Sequence, residues 1–264
     1  MAMTAEHDAS GNPALGSKAA TALFAETAPR SMSVGGTSIK TLFLLLVLVA
    51  GGAWGWASAT TPIPNDFGGG YANTTVTIPG GFWLASFAAF FVAIFLAINP
   101  RRAALLSALY AILQGYCLGA ISAAFDAQTD GIVAAAILST VCVFFVALIL
   151  YVTRIVKPTQ KLAFGVIVGI GGLSLLYLFV WVLSIFDWGF LYSDQFHTVG
   201  VVVTIIAVIL AALSLTLDFG FIEACVEGDA PKFMEWYAAY GLMVTLIWLY
   251  ISLLRLLALL ARNR

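Results

Sequence analysis

Seven long apolar segments dominate this chain and restrict it to few folds. They cover residues 41–60, 80–98, 103–125, 131–153, 162–185, 199–226 and 233–260. Each segment is long enough to cross the hydrocarbon core of a bilayer as a helix, at about 1.5 Å of rise per residue. The connections at residues 99–102, 157–159 and 227–231 contain Pro or Gly, which end helices. The sequence therefore predicts seven transmembrane helices, numbered one to seven along the chain.

The composition agrees with lipid as the main solvent. Of the 264 residues, 62% are hydrophobic and 9% are charged, and the net charge is −1. These values are typical of a multi-pass membrane protein. The basic residues are spread thinly, so we expect no nucleic-acid surface. Residues 1–40 contain no long apolar stretch, which predicts a disordered tail ahead of a helical domain at residues 41–264.

The positions of Lys and Arg predict the orientation of the chain, because these residues are retained on the cytoplasmic side. They occur in the tail and in the second and fourth connections, as Lys18, Arg30, Lys40, Arg101, Arg102, Arg154, Lys157 and Lys161. The first, third and fifth connections have none, so we expect a cytoplasmic tail. Seven crossings leave Arg262 and Arg264 outside, against this rule. The alternatives are that helix seven enters and returns, or that an earlier segment does not fully span; we favour seven crossings.

Residues suited to catalysis or metal binding are scarce in this sequence. The only histidines, His7 and His197, fall in the tail and in a predicted outer loop. A zinc motif of the His-Glu-x-x-His type is absent from the sequence, and helix seven has no lysine that could carry retinal. We therefore expect no enzyme, no cofactor and no metal site.

Asp218 is the residue that most strongly suggests a function. It follows the apolar run at residues 199–217, where a carboxylate is costly to keep. Arg101 or Arg102 are candidate basic partners, because all three residues are predicted near the cytoplasmic face. Arg255 is predicted toward the opposite face and is a poorer partner. For Arg101 and Arg102, a gating role and a purely topological role remain equally open.

Other polar and small residues have simpler interpretations. Glu223 lies about 140° around the helix from Asp218, so the two do not share a face. Glu235 begins helix seven, where a negative charge suits the helix N-terminus. For both glutamates we favour a solvated or capping role. Gly115 and Gly119 share a face of helix three with Ser122 near it, which predicts close helix packing.

Two parts of the chain together resemble a known family. Residues 114–122 run from Gln114-Gly115 through Gly119 to Ser122. They are similar to a Glu-Gly-x-x-x-Gly-x-x-Ser segment of the Bax inhibitor-1 family, also called the transmembrane BAX inhibitor motif family. The last two helices resemble its bacterial, actinobacterial-like branch at residues 217–223 (LDFGFIE), 228–231 (GDAP), 235–237 (EWY), 249–250 (LY) and 253–257 (LLRLL). The resemblance covers most of residues 41–264.

The resemblance implies an all-α bundle of seven transmembrane helices with the last helix at its centre. It also implies a pH-sensitive calcium leak, with Asp218 matching the family's aspartate on helix six. In the family pattern, a second aspartate on helix seven shares a proton with the first, and a basic residue helps hold the pore shut. Here Thr245 occupies the position of that second aspartate, and Gln114 replaces the family's glutamate. We therefore expect a pH response that differs from the family pattern.

Two functional hypotheses follow from these expectations. The leading hypothesis is a bacterial inner-membrane leak for cations, with calcium as the permeant ion. Protonation of Asp218 would release an arginine and change the helix packing. The competing hypothesis is a non-conducting regulator that binds other membrane proteins, since some family members are described as modulators of a membrane-embedded AAA+ protease. The cytoplasmic tail would then be the contact.

Overall fold

The computed structural model describes residues 31–64, 71–185 and 194–262. Its helices are α1 (Val34–Ala59), α2 (Phe82–Ile98), α3 (Ala103–Asp126), α4 (Ile132–Val152), α5 (Gln160–Ile185), α6 (Asp194–Glu227) and α7 (Met234–Ala261). A short 3-10 helix, Pro100–Arg102, precedes α3. The seven predicted helices are all present, in the predicted order. Residues 1–30, which make up most of the predicted tail, lie outside the described residues.

The helices have the length and composition of membrane spans. Six of those in the described ranges are long and apolar enough to cross a bilayer, with mean hydropathies between 1.7 and 2.9. The exception is α2, which has 17 residues and lies at the lower limit of a spanning length. The prediction of an all-α, multi-pass membrane protein is confirmed.

The first helix begins earlier than the apolar pattern predicts. It starts at Val34 rather than at Thr41, so the last residues assigned to the tail are helical. Ser33 is its N-cap, because the Ser33 hydroxyl accepts a hydrogen bond from the Gly36 amide at 3.1 Å. A serine in this position satisfies one of the free amides at the start of a helix. The cap, rather than the apolar stretch, therefore sets the first residue of α1.

A β-hairpin forms the connection between α1 and α2. Strands β1 (Thr60–Pro64) and β2 (Tyr71–Val76) are antiparallel, and Thr61 pairs with Thr75. The pairing shifts register between Ile63 and Pro64. Threonine and valine favour extended backbone, and the two prolines of β1 donate no hydrogen bond to a neighbouring strand. The hairpin extends the bundle beyond the end of α1.

The last helix is at the centre of the bundle, as the resemblance implied. It contacts α1, α3, α4 and α6, whereas α5 contacts chiefly α6. One side of α7 packs against α1 and α3, where Met243 is fully buried beside Leu44 and Ala111. Another side packs against α4 and α6, where Leu249 is buried in a cluster with Leu215. Residues on α7 can therefore reach several helices of the bundle.

Candidate functional site

Asp218 lies on α6 in the part of the bundle where α5, α6 and α7 meet. Its Oδ2 atom is buried and has no hydrogen-bond partner among the described residues. The neighbouring residue Phe219 and, one turn earlier, Leu215 are buried in the hydrophobic core of α4, α6 and α7. This packing fixes the rotation of α6 and keeps the Asp218 side chain on the α5–α7 side. The apolar neighbours Leu215 and Phe219 therefore keep the unpaired Oδ2 atom of Asp218 in an apolar region.

Asp218 lines two cavities. The larger one, about 410 Å³ in volume, lies between α5, α6 and α7. Its walls are almost wholly apolar, and its lining is Val166, Ile167, Ile170, Ser214, Leu217, Asp218, Val244, Thr245 and Trp248. The smaller one, about 220 Å³, is lined by Asp218, Phe221, Tyr237, Ala238 and Gly241. Asp218 is therefore the one described residue that lines both cavities.

Thr245 on α7 faces the same cavity as Asp218. The Thr245 hydroxyl donates to the Gly241 carbonyl oxygen at 3.3 Å, and the side chain lies beside the Asp218 carboxylate. This is the position at which the family resemblance assigns a second aspartate. The structure therefore places Asp218 and Thr245, the two positions that the resemblance pairs, on the same cavity, with a neutral hydroxyl on α7.

The structure does not bring the predicted arginines to Asp218. Arg101 and Arg102 are exposed on the 3-10 helix before α3, and within the described ranges neither forms an ion pair with Asp218. The 3-10 helix contacts α7, whereas Asp218 faces the cavity beside α5. Arg255 is exposed, and its guanidinium lies over the Tyr177 ring, with 5.2 Å between Cζ and the ring centroid. The expected ion pair between Asp218 and Arg101 or Arg102 is therefore not among the ion pairs of the described residues.

Glu235 corrects the expectation of a solvated or capping glutamate. It lies in the first turn of α7 as predicted, but its side chain is 0% exposed. Lys40 forms an ion pair with Oε2, and Lys232 forms one with Oε1 at 2.6 Å. The Ser33 amide and hydroxyl also donate to Oε1, at 2.9 and 3.0 Å. Sequence reasoning missed this cluster because Ser33 and Lys40 were assigned to the tail.

Glu223 faces away from the Asp218 cavities, as its angular separation from Asp218 predicts. Its Oε1 pairs with Arg154 Nη2 at 2.6 Å, and Tyr151 donates a hydrogen bond to Oε2. The Glu223 side chain is 34% exposed. Glu223 therefore links the end of α4 to the end of α6 at the surface, as an ion-paired rather than a merely solvated residue.

The small residues of α3 mediate helix contacts. A Cβ atom at Gly115 would collide with the Leu48 carbonyl of α1, and one at Gly119 would collide with the Gly52 carbonyl. The Ser122 hydroxyl forms a 2.7 Å hydrogen bond with the Tyr250 hydroxyl of α7. These three residues therefore fix α3 against α1 on one side and against α7 on the other.

Ligands for a metal ion do not come together in the part of the chain that the structure describes. It contains no group of three or more His, Cys, Asp or Glu residues that could hold one. Cys117, Cys142 and Cys225 are free thiols on three different helices. His7 and the side chain of His197 lie outside the described residues.

The model of a protein family described as Bax inhibitor 1 like matches residues 12–262 of the chain. Among curated proteins, none matches it. The match to the family includes all seven helices, Asp218 and Thr245. The chain therefore belongs to the Bax inhibitor-1 family of multi-pass membrane proteins.

Proposed function

We propose that the protein is a pH-sensitive cation leak channel of the bacterial inner membrane, with calcium as the permeant ion and a cytoplasmic N-terminus. The observation that carries this proposal is the buried, unpaired Asp218 oxygen, which is shared by two cavities. Ionisable groups inside a membrane bundle are costly, and they mark ion pathways. The proposed function involves no chemical reaction, no cofactor, no resident metal and no nucleic acid. The lipid bilayer is the surrounding partner.

The mechanism that fits this geometry uses Asp218 without an arginine. An ionised carboxylate in an apolar cavity lacks compensation for its lost hydration, so a cation or water entering the cavity is favoured. Protonation removes the charge and with it the attraction for cations. Cation flux should therefore fall as pH is lowered through the titration of Asp218. The arginine release expected from the sequence is replaced by direct attraction of the cation.

Calcium flux into liposomes tests this proposal. Purified protein is reconstituted with a calcium indicator inside, and flux is measured from about pH 5 to pH 8, a range that spans the titration of perturbed carboxylates. Asp218→Asn keeps the shape of the side chain without its charge, so we expect low flux at every pH. Glu223→Gln is the matched control, because Glu223 lies outside both cavities, and it should keep the parent's pH profile. The proposal is wrong if Asp218→Asn leaks calcium with the parent's pH dependence.

A second candidate function is favoured by the neutral residue at the partner position. Thr245 leaves the family's aspartate pair incomplete, as expected if conduction has been lost. The protein would then be a non-conducting regulator that binds a membrane-embedded AAA+ protease or another membrane partner. The discriminating result is recovery of a membrane protease with the full chain but not with a chain lacking residues 1–30, together with no flux in liposomes.

A further inference from the structure

The segment just before α1 packs across the connection between α6 and α7. The Met32 amide donates to the Ala230 carbonyl at 2.7 Å, and Ser31 forms an isolated antiparallel bridge with Pro231. The Met32 side chain is 3% exposed and packs in the same core cluster as Ile222 and Ala238. Backbone pairing and a buried side chain together hold this segment against the ends of α6 and α7.

The ion pairs of Glu235 strengthen the same contact. Lys40 on α1 and Lys232 before α7 share its carboxylate, and Ser33 donates two hydrogen bonds to it. A Cβ atom at Gly36 would collide with this carboxylate, so the first turn of α1 lies directly against it. The Glu235 side chain is buried, whereas those of Lys40 and Lys232 are 17% and 46% exposed. Removing one of these cations leaves a buried carboxylate with less compensation. The α1–α7 contact is therefore specific, and its loss would be costly.

This contact lies beside the smaller of the two cavities that Asp218 lines. Tyr237 and Ala238, which follow Glu235 within one turn of α7, form part of that cavity's wall. Any movement of the first turn of α7 away from α1 would move both residues. The first turn of α7 therefore carries both the contact with α1 and part of the wall of this cavity.

We propose that residues 31–33, Lys40 and Glu235 form a latch that holds the first turn of α7 closed against α1. Release of this latch opens the smaller Asp218 cavity at this end of the bundle. The latch itself stands on the contacts described above, whereas its role in conduction depends on the proposed cation leak. We refer to these residues as the N-terminal latch.

A reversible crosslink tests the role of the latch in conduction. Directly opposed residues of an antiparallel pair lie about 4.5–5.5 Å apart at Cα, a separation that a disulfide can bridge. Ser31→Cys and Pro231→Cys are combined in a chain whose three native cysteines are replaced, and flux is measured oxidised and reduced. Thr61→Cys with Thr75→Cys is the matched control, because this pair is also antiparallel but lies in the β-hairpin.

Oxidation of the latch pair should lower calcium flux at least tenfold, and a reductant should restore it. The control variant with Thr61→Cys and Thr75→Cys should show the same calcium flux when oxidised and when reduced. Equal flux of the oxidised and reduced latch pair would overturn the gating role.

Hydrogen–deuterium exchange tests the latch independently of any flux. Lys40→Met removes one ion pair of Glu235, whereas Lys161→Met makes the same change at an exposed lysine of α5. In the full chain in lipid nanodiscs, the amides of residues 230–237 should exchange at least tenfold faster in Lys40→Met and at the parent's rate in Lys161→Met. Equal exchange in the two variants would overturn the latch. If the parent shows no flux, the leak proposal fails and this exchange result alone decides the latch.

Discussion

At the scale of single residues, the main question is how one carboxylate works at a position where the family resemblance describes a pair. Asp218 and Thr245 line the same cavity, so a second acid at residue 245 would face the first. The Thr245 hydroxyl donates to the Gly241 carbonyl of its own helix at 3.3 Å and also lies against the Asp218 carboxylate. Among the described residues that line the two cavities, Asp218 is the only one with a carboxylate.

Thr245→Asp should move the pH at which calcium flux is half-maximal upward. Two facing carboxylates disfavour simultaneous ionisation, so the pair retains one proton at a higher pH than a single acid does. Thr245→Asn is the control, because it has the same shape as aspartate and no charge. The measurement is the flux–pH profile in liposomes. Identical profiles for the two variants would show that residue 245 does not act on Asp218 through charge.

At the scale of secondary-structure elements, glycines let α1 and α3 approach each other closely. Gly51 and Gly55 on α1 face backbone atoms of α3, and Gly115 and Gly119 on α3 face backbone atoms of α1. Close backbone approach is a main source of helix association in membranes, where apolar burial alone gives little advantage. The glycine pattern of α3 predicted a packed face, and only the fold identified α1 as its partner.

Gly119→Ala should destabilise the protein by about 1–3 kcal/mol, because the added methyl group has no space between the two backbones. Gly172→Ala in α5 is the matched control. A Cβ atom at Gly172 meets nothing within 4 Å, and alanine favours a helix more than glycine does. Thermal unfolding in detergent should show a lower midpoint for Gly119→Ala only. A similar loss in both variants would contradict the close α1–α3 contact.

At the scale of the whole molecule, several helix ends and basic residues contact one another at one end of the bundle. The start of α1 meets the α6–α7 connection, and Arg154 after α4 pairs with Glu223 near the end of α6. Pro158, which precedes α5, lies against Gly220. From the positive-inside rule we predict that this end faces the cytoplasm and that the β-hairpin faces the other side.

Cysteine labelling of intact cells should reveal this orientation. In a chain without native cysteines, Thr61→Cys should react with a membrane-impermeant thiol reagent, whereas Lys157→Cys should react only after permeabilisation. Arg262→Cys should label from outside, because seven crossings place it there. Labelling of Arg262→Cys only after permeabilisation would contradict the seventh crossing, and the reverse pattern at residues 61 and 157 would invert the topology.

The sequence alone determined the features that depend on local composition. Apolar length fixes the existence and order of the helices, because a bilayer requires about 20 apolar residues per crossing. The carboxylate of Asp218 was conspicuous for the same reason, since charge is costly next to such a segment. The matching of Thr245 to the partner position came from the family resemblance and stays a prediction; the structure shows that Thr245 and Asp218 line the same cavity.

The tertiary structure decided which distant residues meet. Lys40 and Glu235 are 195 positions apart, and neither stands out in an apolar pattern. Arg101 and Arg102 were predicted near the same membrane face as Asp218, yet Asp218 lines the cavity beside α5 and, within the described ranges, pairs with neither arginine. The free energy of moving a helix into lipid depends on the residues of that helix alone. Composition therefore constrains how deep each residue lies in the membrane. The partner across a helix interface depends on the rotation and packing of two helices, which only the folded bundle specifies.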